Sequence, residues 1–151
     1  MTATQQPDPF GTAPARRRGP SGPRAGFWRR FAASFLDGLI ISVCSILFVG
    51  IDEGLFYVVS VLGQIGYYTI LEGGPRGQTV GKMALKIRVI DLAHSGPIGY
   101  ERAFIRLIGR FLSTIALLLG YFWMLWDREK QTWHDKLAGA VVVPVSAYPV
   151  D

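Results

Sequence analysis

Residues 32–51 are twenty consecutive positions with a single charge, the carboxylate of Asp37. At about 1.5 Å per residue, a helix of that length crosses the ~30 Å hydrocarbon core of a bilayer. Phe27 and Trp28 stand at its entrance, where interfacial aromatic side chains collect. Two more runs carry no charge at all: residues 55–71, which hold Ser60, Gly63, Gln64 and Gly66, and residues 111–126, which end in Tyr121, Trp123 and Trp126. Both are at the short end for a span. The small residues of the second run suit close helix packing and Gln64 can bond across an interface. The chain is therefore expected to be an α-helical membrane protein with three transmembrane helices. A cleavable secretory signal fits the first run poorly, because Asp37 lies inside it and no A-x-A site follows. A lipoprotein signal ending at Cys44 is opposed by the bulky Val43.

Composition agrees: only 18% of the 151 residues are charged, and mean hydropathy is +0.28. One cysteine excludes an internal disulfide framework and a cysteine-only metal cage. The net charge of +5 invites a nucleic-acid reading, but the Arg16–Arg18 run stands just before an apolar helix. A basic flank beside anionic lipid explains it more simply, and no nucleic-acid partner is expected.

The remaining segments divide as follows. Residues 1–26, rich in Pro, Gly and Arg, are expected to form a disordered cytoplasmic tail. Residues 27–145 form the membrane domain, and 146–151 a short tail. The brief acidic turn at 52–54 predicts an antiparallel hairpin of the first two spans. Residues 72–110 form a polar loop and an amphipathic helix. In the loop, Leu85, Ile87 and Val89 alternate with Lys86 and Arg88, the period of a surface strand; Val141–Val143 predicts another short strand. From Tyr100 onward, Phe104, Leu107, Ile108 and Phe111 share a helical face while Arg102, Arg106 and Arg110 recur every four residues, an interfacial pattern. No internal repeat is apparent.

Lysine and arginine gather before the first run and between the second and third. The positive-inside rule therefore places a multi-pass protein in the plasma membrane with its N-terminus cytoplasmic. Three spans put the C-terminus outside. If the two strands pair, both lie on one side, and the third run is re-entrant or split near Gly120.

Asp37 is the sharpest chemical signal, since a carboxylate within a span costs roughly 2.5–3.5 kcal/mol on insertion scales. Arg30, two turns away on the same face, and Arg110, on a neighbouring helix, are its candidate partners. Two readings stand: a proton- or cation-binding carboxylate, or an ion pair that fixes helix packing. Gly77-Gln-Thr-Val-Gly81-Lys82 lacks the spacing of a phosphate loop, with Met83 where Ser or Thr should follow the lysine. His94 and His134 have no companion ligand cluster. No catalytic set is visible, so no enzyme activity, cofactor or metal is expected.

Three blocks carry a resemblance: Gly26-Phe-Trp-Arg29-Arg30-Phe-Ala-Ala-Ser-Phe-Leu-Asp37, the Gly77–Lys82 block with the strand after it, and Thr132-Trp-His-Asp135-Lys-Leu-Ala-Gly139. In that order they resemble RDD-family membrane proteins, over residues 27–143. The family is named for an arginine, an aspartate in the first membrane helix and a second aspartate. The resemblance maps these onto Arg30 (with Arg29 the neighbouring alternative), Asp37 and Asp135. It implies a small transporter or cation/proton exchanger subunit. The alternative is a membrane-embedded scaffold without transport. Either would work with the lipid bilayer, and with a second copy or a partner membrane protein.

Overall fold

The computed structural model describes residues 22–149 except 49, 51, 117 and 118. The expected disordered tail falls mostly on residues 1–21, outside the described ones. Residues 22–26 are not free: Ala25 is buried and its N–H donates to the Val142 carbonyl at 2.9 Å.

Two long helices come first, α1 (Phe27–Ile46) and α2 (Glu53–Gly73), then a short helix α3 (Val80–Ala84) and a strand β1 (Ile87–Asp91). They are followed by α4 (Tyr100–Ile115), α5 (Leu119–Phe122) running into a 3-10 turn (Trp123–Leu125), α6 (Trp133–Leu137) and β2 (Ala140–Pro144).

The long helices are inverted relative to those of a water-soluble protein. On α1 the buried residues are Ala33 and Asp37, while Trp28, Phe31, Phe35, Leu39, Val43 and Ile46 form an exposed stripe. On α4, Arg106 is 2% exposed and Phe111 51% exposed. Polar groups turned inward and large apolar groups turned outward suit a solvent of hydrocarbon. The arginine face of α4, expected at an interface, is thus mostly turned into the protein.

By length and composition, α2 is the one described helix able to cross a membrane alone, and its apolar window is wholly unburied. The helix α1 begins five residues earlier than the expected span and ends at Ile46, so it includes Arg29 and Arg30. The third run, expected over 111–126, is not straight. Tyr100–Ile115 and Leu119–Leu125 meet at 113°. Gly120 fits the elbow: a Cβ there would lie 2.3 Å from Ser113 Oγ, so only glycine lets the returning limb pack so closely.

The strands pair antiparallel, Ile87 opposite Pro144 and Asp91 opposite Ala140. Both strand segments therefore lie next to each other, with the bent limb between them in sequence. The alternation in β1 predicts one solvated face, but all five residues are buried. Ile87, Val89 and Val142 pack with Ala33 and Ala103, and Ile90 with Val141 and Val143. Arg88 is accommodated because its guanidinium donates to the carbonyls of Pro75 and Pro149.

The sheet also reveals a repeat. Val89 pairs with Val142, and the surroundings of these two residues match at the same separation of 53 positions. Gln78 and Gln131 donate to the carbonyls of Ile87 and Ala140, the first residues of the two strands. Thr79 and Thr132 cap five-residue helices. Lys86 and Gly139 both take positive φ before the strands. Leu92 N–H donates to the Gly139 carbonyl as Val145 N–H does to that of Lys86. Two Gln-Thr–helix–turn–strand units are thus related by an approximate two-fold axis through the sheet. The side chains differ so much that the sequence alone conceals it.

Candidate functional site

A buried ion network lies where the two repeat units meet the long helices. Glu72, in the last turn of α2, receives Arg106 Nη1 at 2.5 Å, Arg110 Nη2 at 2.9 Å and the Lys82 ammonium. Asp135, in the first turn of α6, receives Arg30 Nη1 at 2.5 Å and Arg106 through Nε at 2.7 Å and Nη2 at 2.6 Å. Arg106 thus bridges the two carboxylates, and its planar fork is what permits it. Arg110 also lies 4.4 Å from the centre of the Tyr68 ring.

Local sequence sets each group. Thr132 accepts from Asp135 N–H while Asp135 accepts from Thr132 N–H, a reciprocal cap that holds the carboxylate in place. Thr79 caps α3 and so delivers Lys82 to Glu72. The four-residue spacing of Arg106 and Arg110 puts both on one face of α4.

Asp37 stands apart from the arginines. It accepts from the Tyr67 hydroxyl at 2.7 Å, the Thr79 hydroxyl at 2.6 Å and Gly81 N–H at 2.7 Å. Its contacts tie α1 to α2 and α3. Gly81 is required for the approach, since a Cβ there would come within 2.2 Å of the Ala33 carbonyl oxygen. In the second unit the space is filled the other way: His134 packs its Cα and Cβ on Gly109 of α4.

The electrostatics outside the long helices follow from burial and pairing. Burial pushes the Asp135 carboxyl up, but Arg106 and Arg30 outweigh it and hold it well below the usual carboxylate range. Burial pushes the Lys82 ammonium down to about 8, with Glu72 pulling the other way. Burial holds His134 well below its ordinary value, so the imidazole is neutral.

Of the four residues singled out in the sequence, Arg30 and Asp135 meet directly. Arg110 joins them through Glu72 and Arg106. Neither Arg30 nor Arg110 is the partner of Asp37, because a tyrosine, a threonine and a backbone N–H occupy both of its oxygens. Sequence reasoning missed Glu72, which reads as the edge of an apolar run, and Arg106, which reads as one of three interfacial arginines. It also missed Tyr67, Thr79 and Lys82; the Gly77–Lys82 block was the signal for Thr79 and Lys82, while Tyr67 sits inside an apolar run. Among the described residues, no cluster of three His, Cys, Asp or Glu side chains is arranged to hold a metal.

The family model described as "RDD family" matches residues 24–139. The chain is 29% identical over 139 residues to "Uncharacterized membrane protein YteJ" of Bacillus subtilis, covering 82% of this chain and 83% of that one. It is 29% identical over 109 residues to the "Proline-rich antigen homolog" of Mycobacterium tuberculosis, covering 62% of this chain and 45% of the relative. It is 32% identical over 72 residues to the "Proline-rich antigen" of Mycobacterium leprae, covering 48% and 29%. The chain thus spans less than half the length of these mycobacterial relatives. No solved structure matches.

Proposed function

The chain belongs to the RDD family, and from that membership we propose that it is a multi-pass plasma-membrane scaffold whose buried ion network latches its helices together. In this reading α1 and α2 are full spans with the N-terminus cytoplasmic, and α4–α5 is a re-entrant limb rather than a third span. Charge supports that arrangement. No Lys or Arg lies between Ile46 and Glu72, so every basic residue falls on the cytoplasmic side. The partners are the bilayer and a second copy or another membrane protein, met through the exposed apolar stripes. No enzyme activity and no nucleic-acid partner is proposed.

One observation carries the choice of scaffold over exchanger: each buried carboxylate of the network is engaged by two or three donors. Ion exchange needs a carboxylate that can trade its partner for a cation or proton. Removing one partner of such a buried pair is strongly destabilising. The exchanger reading keeps one observation of its own, the buried Lys82 with its ammonium lowered to about 8, a group able to release a proton near neutral pH.

The test is reconstitution in vesicles with a pH-sensitive dye and a panel of monovalent cations. The scaffold reading expects no cation-driven pH change from the wild-type protein, and reduced abundance or altered co-purifying partners for Asp37→Asn. Cation-driven proton flux in the wild type that Asp37→Asn abolishes, with insertion intact, would replace it with the exchanger reading.

A further inference from the structure

We propose that the cavity beside the ion network binds the anionic headgroup of a membrane amphiphile. The cavity measures about 270 Å³. Its polar lining includes Arg30, Lys82, Arg106 and Arg110, and its apolar lining includes Phe27, Phe31, Phe122 and Met124. One end therefore offers positive charge and the other aromatic and thioether surface, the two halves of an amphiphile.

Charge count favours an anion. The four cations face two carboxylates, Glu72 and Asp135. Even with Asp37 added, which is held by uncharged donors, the cations are in excess. An uncompensated charge in a low-dielectric setting is costly, and an anionic oxygen in the cavity offsets it. Donors are at hand. Arg110 makes one ionic hydrogen bond, to Glu72, and its side chain keeps 16% exposure. A second, independent observation comes from His134, which lines the same cavity and is 3% exposed. Its Nδ1 has no hydrogen-bond partner among the described residues. Buried polar atoms are nearly always partnered, so a polar group of a ligand in the cavity would satisfy an imidazole nitrogen that the described residues leave open.

The apolar wall selects an amphiphile over a small soluble anion. Phe27 and Phe122 stack at 5.7 Å, while Phe31 is 55% and Phe122 40% exposed. The wall of the cavity is thus continuous with the outward apolar stripe of α1. The volume is just below that of a drug-sized ligand site. It takes a headgroup and the first carbons of a chain, while the rest of the chain runs along the stripe into the bilayer. The inference rests on the reading that this stripe faces lipid.

The experiment is native mass spectrometry of the purified protein in detergent, with dioleoyl phosphatidylglycerol, dioleoyl phosphatidylcholine or oleate added at equal concentration. Retention of phosphatidylglycerol or oleate at least ten-fold above phosphatidylcholine is expected. The first arm identifies a phospholipid phosphate and the second a fatty carboxylate as the source of the charge. Ser34→Phe fills the cavity from an exposed position of α1 outside the ion network and should reduce that retention to the phosphatidylcholine level. Arg110→Lys should keep part of the preference. Equal retention of all three probes, or a preference indifferent to Ser34→Phe, overturns the inference. If the protein still partitions with membranes in that case, the scaffold reading stands without it.

Discussion

A carboxylate buried in an apolar helix either works by exchanging partners or holds the fold by keeping them, and substitutions at Asp37 separate the two. Asp37→Leu strands the Tyr67 hydroxyl, the Thr79 hydroxyl and Gly81 N–H at roughly 1–3 kcal/mol each. Loss of folded protein is expected in detergent-solubilised membranes, read by size-exclusion profile. Asp37→Asn keeps the shape and one acceptor, so a milder fall in melting temperature is expected. His134 gives a pH-dependent case. Its folded value lies well below the ordinary 6.5, so below that pH the unfolded chain binds a proton that the folded chain refuses. Stability therefore falls on acidification below 6.5, by up to about 1.4 kcal/mol per pH unit. Asp135, whose folded value is depressed, adds its own loss only below its ordinary 3.8. Chemical denaturation at pH 7.5 and 5.5 should show the histidine's share, and His134→Gln should flatten it. The acidic and basic residues of this site were only partly legible in the sequence. Arg30, Asp37 and Asp135 stand in recognisable blocks, but the Arg30–Asp135 pair joins residues 105 positions apart, and no local pattern announces such a contact.

At the scale of elements, α4 shows why periodicity identified the helix correctly and its orientation wrongly. Spacing separates an arginine face from an aromatic face, but which face is inside depends on the solvent. Phe104, Ile108 and Phe111 go outward and Arg106 goes inward, the arrangement that a hydrocarbon solvent favours. The consequence is testable at Arg106, which spans two helices' worth of carboxylates. Arg106→Ala leaves Glu72 and Asp135 each short of a partner, and a loss of about 3–5 kcal/mol is expected. Arg106→Lys should recover little, because one ammonium cannot reproduce a fork that meets both carboxylates. Thermal unfolding of the two variants beside wild type checks this; full recovery by lysine would mean that charge alone is needed. The bend after α4 is legible in the sequence only as a position, Gly120, near which the run is expected to split if the two strands pair. Hydropathy counts apolar residues along a line and cannot register that Gly120 must pass Ser113. Gly120→Val should therefore open the elbow and increase protease sensitivity at residues 127–130, while leaving membrane insertion unchanged.

The whole molecule is organised around the two-fold relation between its Gln-Thr–helix–turn–strand units, and topology follows from it. Antiparallel pairing of β1 with β2 requires both units to sit on one face of the membrane, so an odd number of complete crossings between them is impossible. In the proposed topology the bent α4–α5 limb meets that requirement by leaving and returning on the same face, and the hairpin of α1 and α2 would contribute the crossings. That topology would keep the ion network on one side, where Arg30 of the first helix meets Asp135 of the second unit. Single-cysteine labelling decides the matter. With Cys44→Ser as background, Ala93→Cys after β1 and Ser146→Cys after β2 should react with an impermeant maleimide only when the cytoplasmic face is exposed. Glu53→Cys at the start of α2 should react from the opposite face in intact cells. Labelling of positions 93 and 146 from opposite faces would break the sheet, the Arg30–Asp135 pair and the latch together, because all three need the two units side by side.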